Sequence, residues 1–193
     1  MTLDLLFTNI SKHILLTEVE KNYFLSKLHF RKLKKRESLI HENKVSESVA
    51  FVLSGCLRSY TIDDNGFEHI LQFAPPDWWI TDMFSFISQK PGNIYIDAIE
   101  VSEIILLSRA DQLDIFEKIP AFERYFRILT ENSLVSYRKR VMDGLSLTAV
   151  ERFHDFCKRY PTLIECLPQK QIASYIGVTP EFLSKIRSKV KIM

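Results

Sequence analysis

Residues 169–190 read QKQIASYIGVTPEFLSKIRSKV. The spacing in this stretch predicts two short helices joined by a tight turn. Ala173 stands four positions before Gly177, and two closely crossing helices need that pairing: a small residue on the first helix and a glycine at the bend. Ile172, Ile176, Val178, Leu183 and Ile186 fall at the phases that pin one helix on the other. Thr179 suits the N-cap of the second helix and Pro180 its first turn, so that helix starts at a defined place. The pattern is a helix-turn-helix. On its second helix the positions left for an outside partner are Pro180, Glu181, Ser184, Lys185 and Ser188.

Charge is distributed in keeping with this. Residues 151–193 carry eight Lys/Arg against four Asp/Glu, whereas the first 150 residues carry 18 against 20. Positive charge gathered beside a helix-turn-helix points to double-stranded DNA as the partner. A carboxylate such as Glu181 accepts from a cytosine amino group in the major groove, and Lys185 donates to guanine. With Pro180 and Ser184 they form the expected base-reading face. Gln169, Lys170, Thr179, Arg187, Lys189 and Lys191 are the expected phosphate contacts. A helical pair that only packs, with its lysines solvated, is the alternative.

Upstream, Thr148-Ala149-Val150-Glu151 reads as a capping box opening a helix that ends near Tyr160-Pro161. Before it, Pro120 opens a long helix reaching about Asp143, with Gly144 as the hinge. Phe122, Tyr125, Phe126, Leu129, Val135 and Met142 make a mostly apolar stripe on that helix. The helix either packs wholly on its own domain or buries the stripe against a second copy of the chain. The homodimer is the more economical reading, with Phe122, Tyr125, Leu129 and Val135 as its seam.

The N-terminal part alternates differently. Asp63-Asp64-Asn65-Gly66 is a hairpin turn that pairs Cys56–Asp63 with Phe67–Ala74. Strand-like runs surround it at Phe30–Lys34, Ser38–His41, Val49–Ser54, Trp78–Met83, Ile94–Val101 and Glu103–Leu107. They predict a closed antiparallel roll. Two helices precede it, over residues 3–14 and from Thr17 with Glu20 as a capping box. A short helix capped by Ser108 and Asp111 follows, running through Lys118. The fold class is α+β. The domains are a roll with its helices over 1–119, a long helix and hinge over 120–145, and the helix-turn-helix over 146–193.

The composition is 46% hydrophobic and 26% charged, enough apolar material for a packed core. The longest apolar run, Val49–Leu53, is far short of the roughly 20 residues of a membrane span. The first ten residues hold no Lys or Arg, unlike a secretory signal. Cys56, Cys157 and Cys166 lack metal-ligand spacing and read as reduced, buried thiols. These features predict a soluble cytoplasmic protein without a membrane partner. Among His13, His29, His41, His69 and His154 there is no HxH pair, which argues against a metal cupin enzyme. Nucleophile-elbow and phosphate-loop motifs are missing too, so no catalytic residue, metal or cofactor is expected. A ligand-binding or interaction module with a vestigial helix-turn-helix stays open as an alternative.

SVAFVLSGCLRSY, DDNGFEHILQF, PPDWWITD, PGNIYIDAIEVSEI and PQKQIASYIGVTPEFLSKIR together resemble the Crp/Fnr family of bacterial transcription regulators. The resemblance runs over residues 5–190. It implies a cyclic-nucleotide-binding-like jelly roll as sensor, a dimerisation helix, a C-terminal DNA-binding domain and RNA polymerase as a further partner. It also brings out departures. The family's ribose-gripping Gly-Glu falls on Ile80 and Thr81, with Asp82 next, and its phosphate-gripping Arg-Ser falls on Gly92 and Asn93. Tyr137 and Arg138 lie near where relatives reach the purine. Thr81, Asp82, Gly92, Asn93, Tyr137 and Arg138 thus make a degenerate ligand pocket, and any effector is unknown. The N-terminal cysteines of iron–sulfur members are missing, and Pro161–Gln169 is too short for the β-hairpin wing of many relatives.

Overall fold

The computed structural model describes residues 3–189. Two helices come first, α1 (Leu3–Ser11) and α2 (Glu18–Ser26). Thr17 and Glu20 form the reciprocal capping box that starts α2, which satisfies two backbone N–H groups otherwise left open at the helix start.

Eight strands follow: β1 (Leu28–Leu33), β2 (Ser38–Ile40), β3 (Ser48–Ser54), β4 (Leu57–Ile62), β5 (Glu68–Ala74), β6 (Trp79–Ile80), β7 (Tyr95–Ala98) and β8 (Ser102–Ser108). A six-residue helix, α3 (Met83–Ser88), interrupts them after β6. The strands form two four-stranded sheets, in the orders β1-β8-β3-β6 and β2-β7-β4-β5. The pairings of β1, β3 and β6 in the first sheet and of β7 with β2 and β4 in the second are antiparallel. Between the sheets lies an aliphatic core of Leu33, Ala50, Val52, Leu57, Ala74, Ile80, Ile96, Ala98 and Ile104. Alternation along the strands sends these residues inward together.

The expected strand Trp78–Met83 is a correction. Only Trp79–Ile80 is extended, and Asp82 then caps α3. The bulky aromatic pair carries an extended signal that masks the Asp cap and the helical run after it.

After β8, α4 (Arg109–Lys118) is capped by Ser108, whose side chain accepts from the Asp111 N–H. Then come α5 (Ala121–Ser146), α6 (Ala149–Arg159), α7 (Gln169–Ile176) and α8 (Pro180–Lys189). Two compact units divide the chain: Met1–Ile62 with Leu71–Thr130, and Asp63–Ile70 with Glu131–Met193. The hairpin tip thus belongs with the C-terminal helices, and α5 is shared.

The seam expected on α5 is corrected in its first half. Phe122 and Tyr125 are fully buried within the first unit, and Leu129 packs against the same core. Phe122 stacks on Phe24 with ring centroids 4.5 Å apart. The Tyr125 hydroxyl donates to Asn9 Oδ1 at 2.6 Å and accepts from Trp79 Nε1 at 2.9 Å. Aromatic side chains at this end fill the space against α1 and α2, so Phe122 and Tyr125 have no surface left to bury against a second copy. Further along, Leu134 and Val135 are 68% exposed, Val141 64% and Leu145 85%, with Tyr137 and Met142 beside them also exposed.

Gly144 is not the hinge. Helix α5 runs through it to Ser146, and the chain turns at Leu147-Thr148, where Thr148 and Glu151 form a capping box. One glycine in an exposed helix costs only about 1 kcal/mol against alanine and does not break it. Of the three thiols, Cys56 is buried, Cys157 half-buried and Cys166 exposed, so the expectation of buried thiols holds for the first alone.

Candidate nucleic-acid interface

Helix α7 begins after Pro168 and ends at Gly177, which takes a left-handed conformation with φ 73°. The Gly177 N–H reaches Ser174 O and the Val178 N–H reaches Ala173 O. This crossed pair closes the helix end, and glycine takes the required positive φ without a steric cost. Ala173, Ile172, Ile176, Leu183 and Ile186 are buried between the helices, and Val178 is half-buried. Thr179 Oγ1 accepts from the Phe182 N–H at 3.2 Å, so it caps α8.

The expected base-reading residues share one helix. Glu181, Ser184 and Lys185 are exposed on α8, with Pro180 half-buried at its start. Its own backbone N–H and the Thr179 hydroxyl hold the Glu181 carboxyl below its ordinary value, so it is an acceptor at neutral pH. Among the expected phosphate contacts Lys170, Thr179 and Lys189 are exposed, while Gln169 and Arg187 are half-buried. Lys191 lies outside the described residues. Phe182, not singled out from the sequence, is 47% exposed beside Glu181 and three residues before Lys185. Between α6 and α7 the chain makes turns rather than strands, with Leu163, Ile164 and Leu167 buried.

The same compact unit includes the hairpin tip. Ser174 Oγ on α7 donates to Glu68 O at 2.6 Å and accepts from the Ile70 N–H at 2.9 Å. His69 Nε2 lies 2.9 Å from Asp63 Oδ2. Its imidazole thus has a local hydrogen-bonding partner on the hairpin. Among the described residues no cluster of His, Cys, Asp and Glu is arranged to hold a metal.

In the roll, the region where the sequence suggested a degenerate pocket is crossed by hydrogen bonds among its own residues. Asp82 Oδ1 accepts from the Ser85 N–H at 3.1 Å. Ser85 Oγ donates to Lys90 O at 2.6 Å and accepts from the Ser46 N–H at 2.8 Å. Thr81 Oγ1 lies 2.9 Å from Ser46 Oγ and 3.0 Å from Ser48 O. Gly92 exchanges backbone bonds with Asn43 and Lys44. A Cβ at Gly92 would lie 1.8 Å from Asp82 Oδ2, so a side chain there would displace the Asp82 carboxyl. Asp82 Oδ2 is buried and has no hydrogen-bond partner among the described residues. Thr81, Asp82 and Gly92 therefore converge, whereas Asn93 is exposed. Tyr137 and Arg138 are exposed on the part of α5 that belongs to the second unit.

No helix among the described residues is long and apolar enough to cross a membrane. Residues 30–119 match the cyclic nucleotide-binding domain family. Among solved structures, FixK2 from Bradyrhizobium japonicum is similar with a TM-score of 0.73 at 21% identity, over 84% of this chain and 83% of that one. The c-di-GMP-responsive global regulator CLP of Xanthomonas campestris aligns with a TM-score of 0.68 at 15% identity, over 90% and 91%. A protein described as a transcriptional regulator of the Crp/Fnr family from Eubacterium rectale aligns with a TM-score of 0.67 at 17% identity, over 89% and 82%. No curated protein sequence matches at a significant level. Residues 30–119 thus match the cyclic nucleotide-binding domain family, and the chain shares its overall fold with these solved structures.

Proposed function

We propose that this protein is a sequence-specific, homodimeric DNA-binding transcription regulator of Crp/Fnr type, acting in the cytoplasm on transcription by RNA polymerase. The observation that carries the reading is the α7–α8 pair, closed at Gly177 and presenting Glu181, Ser184 and Lys185 outward on α8. A helix that is buried on one side and polar on the other at these phases fits the major groove. Phe182 joins Pro180, Glu181, Ser184 and Lys185 on the reading face. Lys170, Arg187, Lys189 and Lys191 neutralise phosphates, with Gln169 and Thr179 as further contacts to the DNA backbone.

The second copy docks on the open end of α5, where Leu134, Val141 and Leu145 recur at helical spacing and stay exposed in the single chain. Two such helices side by side bury the same stripe, as a two-fold dimer requires. Since DNA half-sites repeat with the helical turn, a dimer reads a palindrome.

The roll takes a role other than cyclic AMP binding. A cyclic phosphate needs a cation and oriented donors in place of its water. Here the corresponding corner holds the buried Asp82 side chain against Gly92, and neither supplies a cation for the phosphate. Any effector of the roll therefore has different chemistry. The fold neighbours are regulators, and no catalytic residue is assigned.

Selection of bound fragments from random DNA tests the reading, followed by affinity measurements across salt concentrations. With about eight phosphates neutralised per dimer, log affinity should fall against log salt with a slope of about −7. An enriched palindrome is the expected result. No enrichment, or affinity indifferent to salt, would leave the chain as a binding module with a vestigial helix-turn-helix.

A further inference from the structure

Strand β5 is the outer strand of its sheet, so one row of its backbone N–H and C=O groups has no strand to pair with. At the start of β5, within the second compact unit, helix side chains take that row. Ser174 Oγ on α7 donates to Glu68 O at 2.6 Å and accepts from the Ile70 N–H at 2.9 Å. A serine inside a helix commonly bonds back to a carbonyl of its own turn; both of these bonds go to the strand instead. Arg140 Nη2 on α5 donates to Ile70 O at 2.7 Å and to Tyr175 O at 3.2 Å. Its guanidinium lies 4.2 Å from the centroid of the Tyr175 ring. Glu68 O, the Ile70 N–H and Ile70 O are thus tied to one turn of α7 and to the arginine that bonds that turn.

The tip that carries this edge is held together by one residue. Asp63 Oδ1 accepts from the Asn65 N–H at 2.9 Å and from the Phe67 N–H at 3.0 Å. The Asp63 N–H donates to Phe67 O, and Asp63 O accepts from the Gly66 N–H. Asp63 Oδ2 lies 2.9 Å from His69 Nε2. Both arms of the turn are therefore fastened to Asp63, and the tip moves as one piece. Ile70, where the tip rejoins the strand, is buried.

We propose that the hairpin tip is a latch on the helix-turn-helix, with Ser174 as its positioning residue. It holds the end of α7, and its two arms continue along the chain as strands β4 and β5. A shift of those strands therefore pulls on α7. The DNA-binding unit is in this sense built from two separate segments, Asp63–Ile70 and the C-terminal helices. A helix whose end is already held needs less ordering when a partner binds. Releasing the latch should weaken DNA binding for every sequence alike, since the side chains on α8 are untouched. That effect rests on the DNA-binding reading; the contact itself does not.

The test joins amide hydrogen exchange, read by NMR, to affinity for a random-sequence DNA duplex at low salt, on the full chain. Ser174→Ala removes the hydroxyl at a half-buried helix position, where alanine is the better helix former. In that variant the Ile70 amide should exchange about tenfold faster or more. DNA affinity should fall about two- to tenfold, the worth of one hydrogen bond. Ser174→Thr keeps a hydroxyl and should restore both readouts. Asp63→Ala loosens the tip without removing a bond to α7 and should lower DNA affinity in the same direction. Unchanged exchange at Ile70 in Ser174→Ala would overturn the latch, and so would equal losses in Ser174→Thr. Faster exchange with DNA affinity unchanged in Ser174→Ala or in Asp63→Ala would overturn its effect on α7. An unaltered chain that binds no DNA would sink the DNA-binding reading alone, because exchange at Ile70 still decides whether the latch forms.

Discussion

Val141→Glu separates the two ends of α5. In the single chain Val141 is 64% exposed, so the substitution costs the folded protomer nothing in packing, and glutamate is the better helix former. In the dimer the same change does two things. It removes an apolar side chain from each copy, about 1–2 kcal/mol apiece for a residue with two-thirds of its surface left to bury. It also sets two carboxylates facing one another in an apolar seam, at a cost of several kcal/mol. Even about 4 kcal/mol in total is nearly three decades in the dissociation constant, at 1.4 kcal/mol per decade. Sedimentation velocity at about ten micromolar should show dimers for the unaltered chain and monomers for the variant, with the circular dichroism melting curve of the protomer preserved. Phe122→Ala is the contrasting case. It opens a cavity in the core of the first unit and should cost about 3–5 kcal/mol of stability. A variant Val141→Glu that stays dimeric, or an unaltered chain that is monomeric, would refute the assignment of the open stripe.

Four further outcomes are expected. Lys185→Ala and Glu181→Ala should each change preference at one base pair per half-site by about 1–3 kcal/mol, whereas Lys189→Ala weakens binding evenly; affinity across a set of operator variants measures both. Calorimetry with cyclic AMP and cyclic GMP should give no binding at physiological concentrations, and a micromolar dissociation constant lost in Arg138→Ala would mean the anion site had moved to the long helix. Tyr125→Phe strands the Trp79 indole N–H and Asn9 Oδ1, partners of the lost hydroxyl, for about 2–4 kcal/mol in a denaturant titration. Glu20 and Glu151 each accept from their capping Thr, which holds both carboxyls below their ordinary value near 4.5; their stabilisation is present above that pH and lost as pH falls through the lowered value, so Glu151→Gln should flatten the acid limb of the melting curve.

What the sequence alone determined is what neighbouring residues decide among themselves. The Thr17-Glu20 and Thr148-Glu151 boxes, the Ser108 cap, the Asn-Gly hairpin and the Ala173–Gly177 turn each rest on backbone groups a few residues apart. Composition and period fix such contacts because the chain brings the partners together whatever else it does. The exposed face of α8 was legible for the same reason, Phe182 excepted, because an apolar side chain at an exposed phase looks like core. Tertiary structure decided the rest. An apolar stripe on α5 has the same period whether a core or a second copy covers it, so only packing assigned Phe122 and Tyr125 to the core and left Val141 open. Asp82 meets Gly92 through a loop closure, and Ser174 meets Glu68 across more than a hundred residues. Contacts of that range depend on the path of the whole chain, and no local spacing encodes them.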